Sequence, residues 1–236
     1  MLGVPKPSTI ASKAAWTSAL CAPAGYDGVK ATMNIRESIQ SQFSGKAFER
    51  PLFYAHKGGL RFELSLGGDW LDQFDLALRK SHEICEEIFD KEIVACYRIF
   101  SNEPLVSSIS TFRELRNIGL FPKKVKEKEH WLERVAVDEG WIEGETEDYW
   151  HTIAIKLPKS SLKKLLWCSM AQDLGVKPCP LVNIYLFDLT KGVEAWPYDV
   201  RGMDVIGNKA ILFQLYKKFD SYLLDYDREM MDTNFG

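Results

Sequence analysis

The residues of this chain best suited to gripping a ligand stand together in one stretch, Tyr198-Asp199-Val200-Arg201-Gly202-Met203-Asp204. An Asp and an Arg two positions apart on a tight turn can face one molecule, the planar guanidinium holding a carboxylate or phosphate. The same residues also have an internal use. Asp199 can bond its own backbone as an Asx turn, Arg201 can pair with Asp204 or Asp227, and Gly202 can supply a positive φ. Further on, Asp225, Asp227 and Arg228 follow the last apolar helical stripe. Carboxylates at a helix C-terminus oppose its dipole, so an arginine from the preceding turn is their simplest partner. Arg61 and Glu63, on the polar side of an alternating strand, complete the candidate binding set.

Other chemistries find less support. Glu143, Glu145, Glu147 and Asp148, with His151 beyond them, lack a metal-ligand pattern. Flanked by Trp141, Tyr149 and Trp150, they read as a hairpin tip, either merely solvated or offered to a basic partner. No Gly-x-Ser-x-Gly elbow, phosphate-binding glycine loop or His-Glu-x-x-His helix occurs. His56, His82, His130 and His151 are scattered without ligand spacing. No catalytic residue, metal or cofactor is therefore expected. Lys123, Lys124, Lys126 and Lys128 are interrupted by Glu127 and Glu129, which suits a solvated loop. With a net charge of −3 and no basic stripe, nucleic acid is not an expected partner. The longest apolar stretches, such as Ile184 to Leu189, are too short for a membrane span. Five cysteines, an odd number without paired spacing, suggest neither zinc nor a disulfide framework. Cys85, Cys96 and Cys168 fall in apolar segments as buried thiols, which fits a reducing cytoplasm.

The elements that must position these residues begin after residue 32. Residues 1–32 are rich in Ala, Ser, Pro and Gly without a sustained period, and are read as a disordered or non-native extension ahead of Met33. A signal peptide is the rival reading, with a short apolar run interrupted by Thr17 and Ser18. The extension carries three Lys and one Asp, so the body without it stands at −5 rather than −3. Asn34 opens a capping pattern with Glu37, and Ile35, Ile39 and Phe43 share one helical side. Leu60 to Leu66 alternates as a half-buried strand, turning Arg61, Glu63 and Ser65 away from the core. Asp69 caps the clearest helix, whose stripe runs Trp70, Phe74, Ala77, Ser81, Ile84 and Ile88, widened by Leu71, Leu78 and Cys85.

Ile93 to Phe100 reads as a strand and Thr111 to Ile118 as a short helix. Trp131 to Val137 and Tyr149 to Leu157 follow as strands, then a helix from Ser160 or Ser161 to about Asp173. Val182 to Leu189 suits a central strand covered on both sides, and Thr190-Lys191-Gly192 turns it back into Val193 to Tyr198. Pro197 requires that strand to lie at an edge or to end there. Met203 to Ile206 is a last short strand, and Asn208 caps a final helix with Leu212, Leu215, Phe219, Tyr222 and Tyr226 on one side. The order implies a single α+β domain over 33–236, one mostly antiparallel sheet with helices packed on it.

Four of these stretches resemble the bacterial family known as domain of unknown function 3885. They are Pro51-Leu52-Phe53-Tyr54 with Leu60-Arg61-Phe62-Glu63-Leu64; Gln172-Asp173-Leu174-Gly175; Tyr198 to Ile206; and Tyr216 with Leu224-Asp225-Tyr226-Asp227-Arg228. The family's turn usually reads Tyr-Asp-Asp-Arg-Gly; Val200 stands here in place of the second Asp, which weakens any chemistry needing paired carboxylates. The resemblance spans Met33 to the C-terminus and implies a small bacterial cytosolic protein, but no activity. Two functions remain open. One is a non-enzymatic cytoplasmic binding protein, such as an immunity-type partner of a bacterial toxin. The other is a small hydrolase or nucleotide-binding enzyme using Asp199, Arg201, Asp204 and Asp227.

Overall fold

Strand β2 (Glu92–Ser101) pairs along its full length with β4 (Tyr149–Pro158) on one side and, over Val94 to Arg98, with β5 (Asn183–Asp188) on the other, which places it inside the sheet. Beyond β4 lies the edge strand β3 (Lys128–Arg134), and beyond β5 come β6 (Val193–Pro197), β7 (Gly202–Gly207) and β1 (Leu60–Glu63). The order is β1-β7-β6-β5-β2-β4-β3, and every pairing is antiparallel. The computed structural model describes residues 34–103, 109–122, 127–135 and 148–236. The N-terminal extension, Lys123, Lys124, Lys126, Trp141, Glu143, Glu145 and Glu147 lie outside the described residues.

Helices occupy both faces of this α+β sheet. On one face α3 (Trp70–Ile88), α4 (Ile109–Asn117), α5 (Leu162–Leu174), α6 (Lys209–Lys218) and α7 (Arg228–Phe235) bury the larger core with Tyr97, Ile153, Leu186 and Val205. On the other, α1 (Ile35–Gln42) and the segment leading into α2 (Leu52–Ala55) cover Cys96, Ala154, Tyr185, Phe187 and Ile206. Two covered faces explain the nearly continuous apolar run of β5, whose Ile184 to Phe187 are all buried. Local signals act as read. Asn34 and Glu37 close a reciprocal cap on α1, Asp69 accepts from the Leu71 N–H at 2.9 Å, and Asn208 accepts from the Ala210 N–H at 3.0 Å.

Three sequence expectations need correction. The first strand stops at Glu63, and Arg61 is buried rather than solvent-facing, because the second helical layer covers its side of the sheet. Trp70 and Leu71, assigned to the core stripe of α3, are 63% and 70% exposed, since the helix engages its neighbours only from Phe74 onward. The final helix does not continue to Tyr226: α6 ends at Lys218, two short 3₁₀ turns follow, and α7 begins at Arg228. The Pro197 expectation, by contrast, holds: β6 lies inside the sheet and ends at that residue.

Candidate functional site

Antiparallel register sets Arg61 of β1 directly opposite Asp204 of β7. The guanidinium grips that carboxylate in two places, Nε to Oδ1 at 2.7 Å and Nη2 to Oδ2 at 2.9 Å. Its Nη1 reaches Asp227 Oδ2 at 3.2 Å, and the Phe53 N–H donates to Asp204 Oδ2 at 3.0 Å. The Tyr54 hydroxyl donates to Asp227 Oδ1 at 2.7 Å. The rings of Phe53 and Tyr54 lie 5.0 and 4.8 Å from the guanidinium carbon. Asp204 is wholly buried and Asp227 nearly so. Burial alone lowers the Arg61 pKa, but hydrogen bonds and charge from Asp204 outweigh it and hold the group above its ordinary range. The hydrogen bond to Asp227 raises the Tyr54 phenol.

This clamp joins the end of the sheet to the C-terminal segment by opposite charges, as the sequence suggested, but the cation comes from β1 rather than from the 198–204 turn. Arg201 pairs with Asp199 instead of Asp204 or Asp227: its N–H donates to Oδ1 at 2.7 Å and its Nε to Oδ2 at 2.8 Å. Asp199 thus forms the Asx turn and also holds the Arg201 fork. Gly202 does not have a positive φ. Its lack of a side chain serves packing, because a Cβ there would fall 1.9 Å from the Tyr198 hydroxyl. Burial raises the Tyr198 phenol pKa, and its ring lies 5.3 Å from that of Trp196.

The remaining candidates divide. Asp227 immediately precedes α7, so it sits at the favourable end of a helix dipole, not the opposing end expected. Asp225 is exposed, and Arg228 is engaged elsewhere, with Asp220 and with Asp232 Oδ1 at 2.9 Å. Glu63 stands two residues beyond Arg61, where its carbonyl accepts from Lys80 Nζ at 2.9 Å. Above the clamp, Tyr54, Tyr226 and Met230 are 48%, 87% and 51% exposed, with Asp225 and Glu229 exposed beside them.

His151, considered for a cation, is buried, with Nε2 3.0 Å from the Glu103 carbonyl and Nδ1 3.4 Å from His130 Nε2. Tyr149 and Trp150 belong to β4 rather than a hairpin tip. Among the described residues no group of three or more His, Cys, Asp or Glu side chains is disposed to hold a metal. No described helix is long and apolar enough to cross a membrane.

Sequence reasoning missed a second buried polar group on the covered face. Arg98 pairs with Glu133 at 2.8 Å between the rings of Phe48 and Trp150, at 4.6 and 4.8 Å. Arg50 donates to the Tyr185 hydroxyl at 3.2 Å. Glu194 is wholly buried, and neither carboxyl oxygen has a partner among the described residues. The available signal was an acid inside an otherwise apolar strand, Val193-Glu194-Ala195-Trp196. A family model described as a domain of unknown function (DUF3885) matches residues 35–227. No curated protein and no solved structure matches the chain.

Proposed function

Because the chain belongs to the DUF3885 family, a description that assigns no activity, we propose from the site's geometry that it is a non-enzymatic bacterial binding protein acting in the cytoplasm on a basic protein partner. The observation carrying this reading is the division of labour at the clamp. Arg61, Asp204 and Asp227 are bonded to one another internally, while Tyr54, Tyr226 and Met230 face solvent above them beside Asp225 and Glu229. Aromatic and methionine side chains supply contact area at interfaces, and nearby carboxylates speed encounter with a cationic surface. An immunity-type role, neutralising a toxin, suits the acidic body and the absence of catalytic motifs. Free, buried Cys85, Cys96 and Cys168 fit a reducing compartment.

The hydrolase alternative needs carboxylates with open lone pairs. Asp204 has none facing water, and the two Asp199 oxygens are engaged by Arg201 and by backbone N–H groups. No specific observation favours that reading.

The test uses Tyr226→Ala with Met230→Ala, a pair whose exposure leaves the fold intact. Affinity purification from the native host should recover a basic protein with the wild type, and at least about tenfold less with the double variant at unchanged Tm. The immunity-type version adds that a toxin gene stands beside this one and that the chain relieves the growth arrest it causes. Equal recovery by both proteins removes the proposed surface; failure to relieve arrest removes the immunity role.

A further inference from the structure

Two exposed helical surfaces, distinct from the clamp residues, complement one another in charge. The first is the opening of α3 with the segment before it. Leu66, Trp70 and Leu71 are 73%, 63% and 70% exposed. Residues 64–78 contain Asp69, Asp72 and Asp75 and no Lys or Arg. Asp69 is used as the helix cap, and Asp72 lies in the first turn where the dipole favours it. Asp75 is beyond that turn, and Leu66, Trp70 and Leu71 stay largely in water.

The second surface is the outer side of α6. Lys209, Phe213 and Lys217 recur at i, i+4 and i+8, so they share one helical side, opposite buried Leu212 and Leu215. All three are exposed, Phe213 by 45%, with Lys217 Nζ 5.5 Å from its ring. Residues 209–219 contain three Lys and no acid.

Within one chain these surfaces are held apart. Helix α6 meets α3 near the α3 C-terminus, where Lys218 pairs with Glu87. Trp70 and Glu87 are separated by a helix length of roughly 25 Å. We propose that the α3 opening of one molecule docks on the α6 face of a second copy of this chain. Phe213 then packs among Trp70, Leu71 and Leu66, while Lys209 and Lys217 meet Asp72 and Asp75. The two patches differ, so the contact is head-to-tail and propagates as a chain or closes as a ring. The surfaces are small, so association is weak and salt-sensitive.

Sedimentation velocity on the full chain tests this with two charge-reversed variants, Asp72→Lys/Asp75→Lys and Lys209→Glu/Lys217→Glu. The wild type should gain mass with concentration at about 0.05 M salt and lose it at about 0.5 M. Each variant alone should remain monomeric, because both of its patches then carry one sign. An equimolar mixture should associate again, at least about tenfold more strongly than either variant alone. A wild type that stays monomeric overturns the proposal, including the case where the α3 patch serves only a foreign cationic protein. Variants that associate like the wild type, or a mixture that does not, also overturn it.

Discussion

The carboxyl of Glu194 has no access to solvent and no hydrogen-bond partner among the described residues. Burial pushes its pKa well above the usual carboxylate range; Arg98 opposes that shift and the charge of Asp204 adds to it. The folded state therefore holds a proton that the unfolded chain releases near pH 4.5. The folded form binds more protons above that point, so stability is fully present below it and declines as pH rises toward the folded pKa. Urea unfolding of the wild type and Glu194→Gln across that range should show the decline in the wild type alone; parallel curves would contradict it. Arg61 is the opposite case, a buried charge that is paired. Arg61→Ala leaves Asp204 buried without its cation, and such losses cost about 3–5 kcal/mol. Denaturant titration should show that loss, with a smaller one for Arg201→Ala, whose side chain is 80% exposed.

Among the elements, the most consequential is the strip between α6 and α7. Its Leu224 N–H donates to the Arg61 carbonyl at 2.9 Å, and Leu223 bridges Phe62. The strip thereby covers the outer edge of β1, an edge strand otherwise open to pairing with other chains. Truncation after Asp220 removes this cover, Asp227, and the buried Met231 and Phe235. The shortened chain should scatter light on storage and unfold at lower urea, whereas equal solubility and midpoint would show that the strip protects nothing. The sequence showed an apolar stripe through Tyr222 and Tyr226 and read it as one helix. The break after Lys218 comes from the need to bring Asp227 back to Arg61, a contact 166 residues apart that no local period encodes.

For the molecule as a whole, both faces of the sheet are covered, and this decides what each polar residue can do. Asn34, Asp69 and Asn208 announced their helices through capping, a local interaction within three residues. Alternation and β-branched runs announced β2, β4 and β5, and the α+β class followed from their order. The family was equally legible, because its short motifs survive in order from Pro51 to Arg228. Alternation distinguishes the two sides of a strand but cannot say that both are buried, so Arg61 read as solvent-facing and Glu194 passed unnoticed. Helical periodicity likewise describes a stripe without saying where the neighbouring helix begins to cover it, which is why Trp70 and Leu71 read as core. The sequence by itself determined most of the elements, three helix caps and the family, all products of short-range chemistry. Only tertiary structure decided which arginine holds the terminal carboxylates and which apolar side chains remain in water, since both depend on packing between residues far apart in the chain.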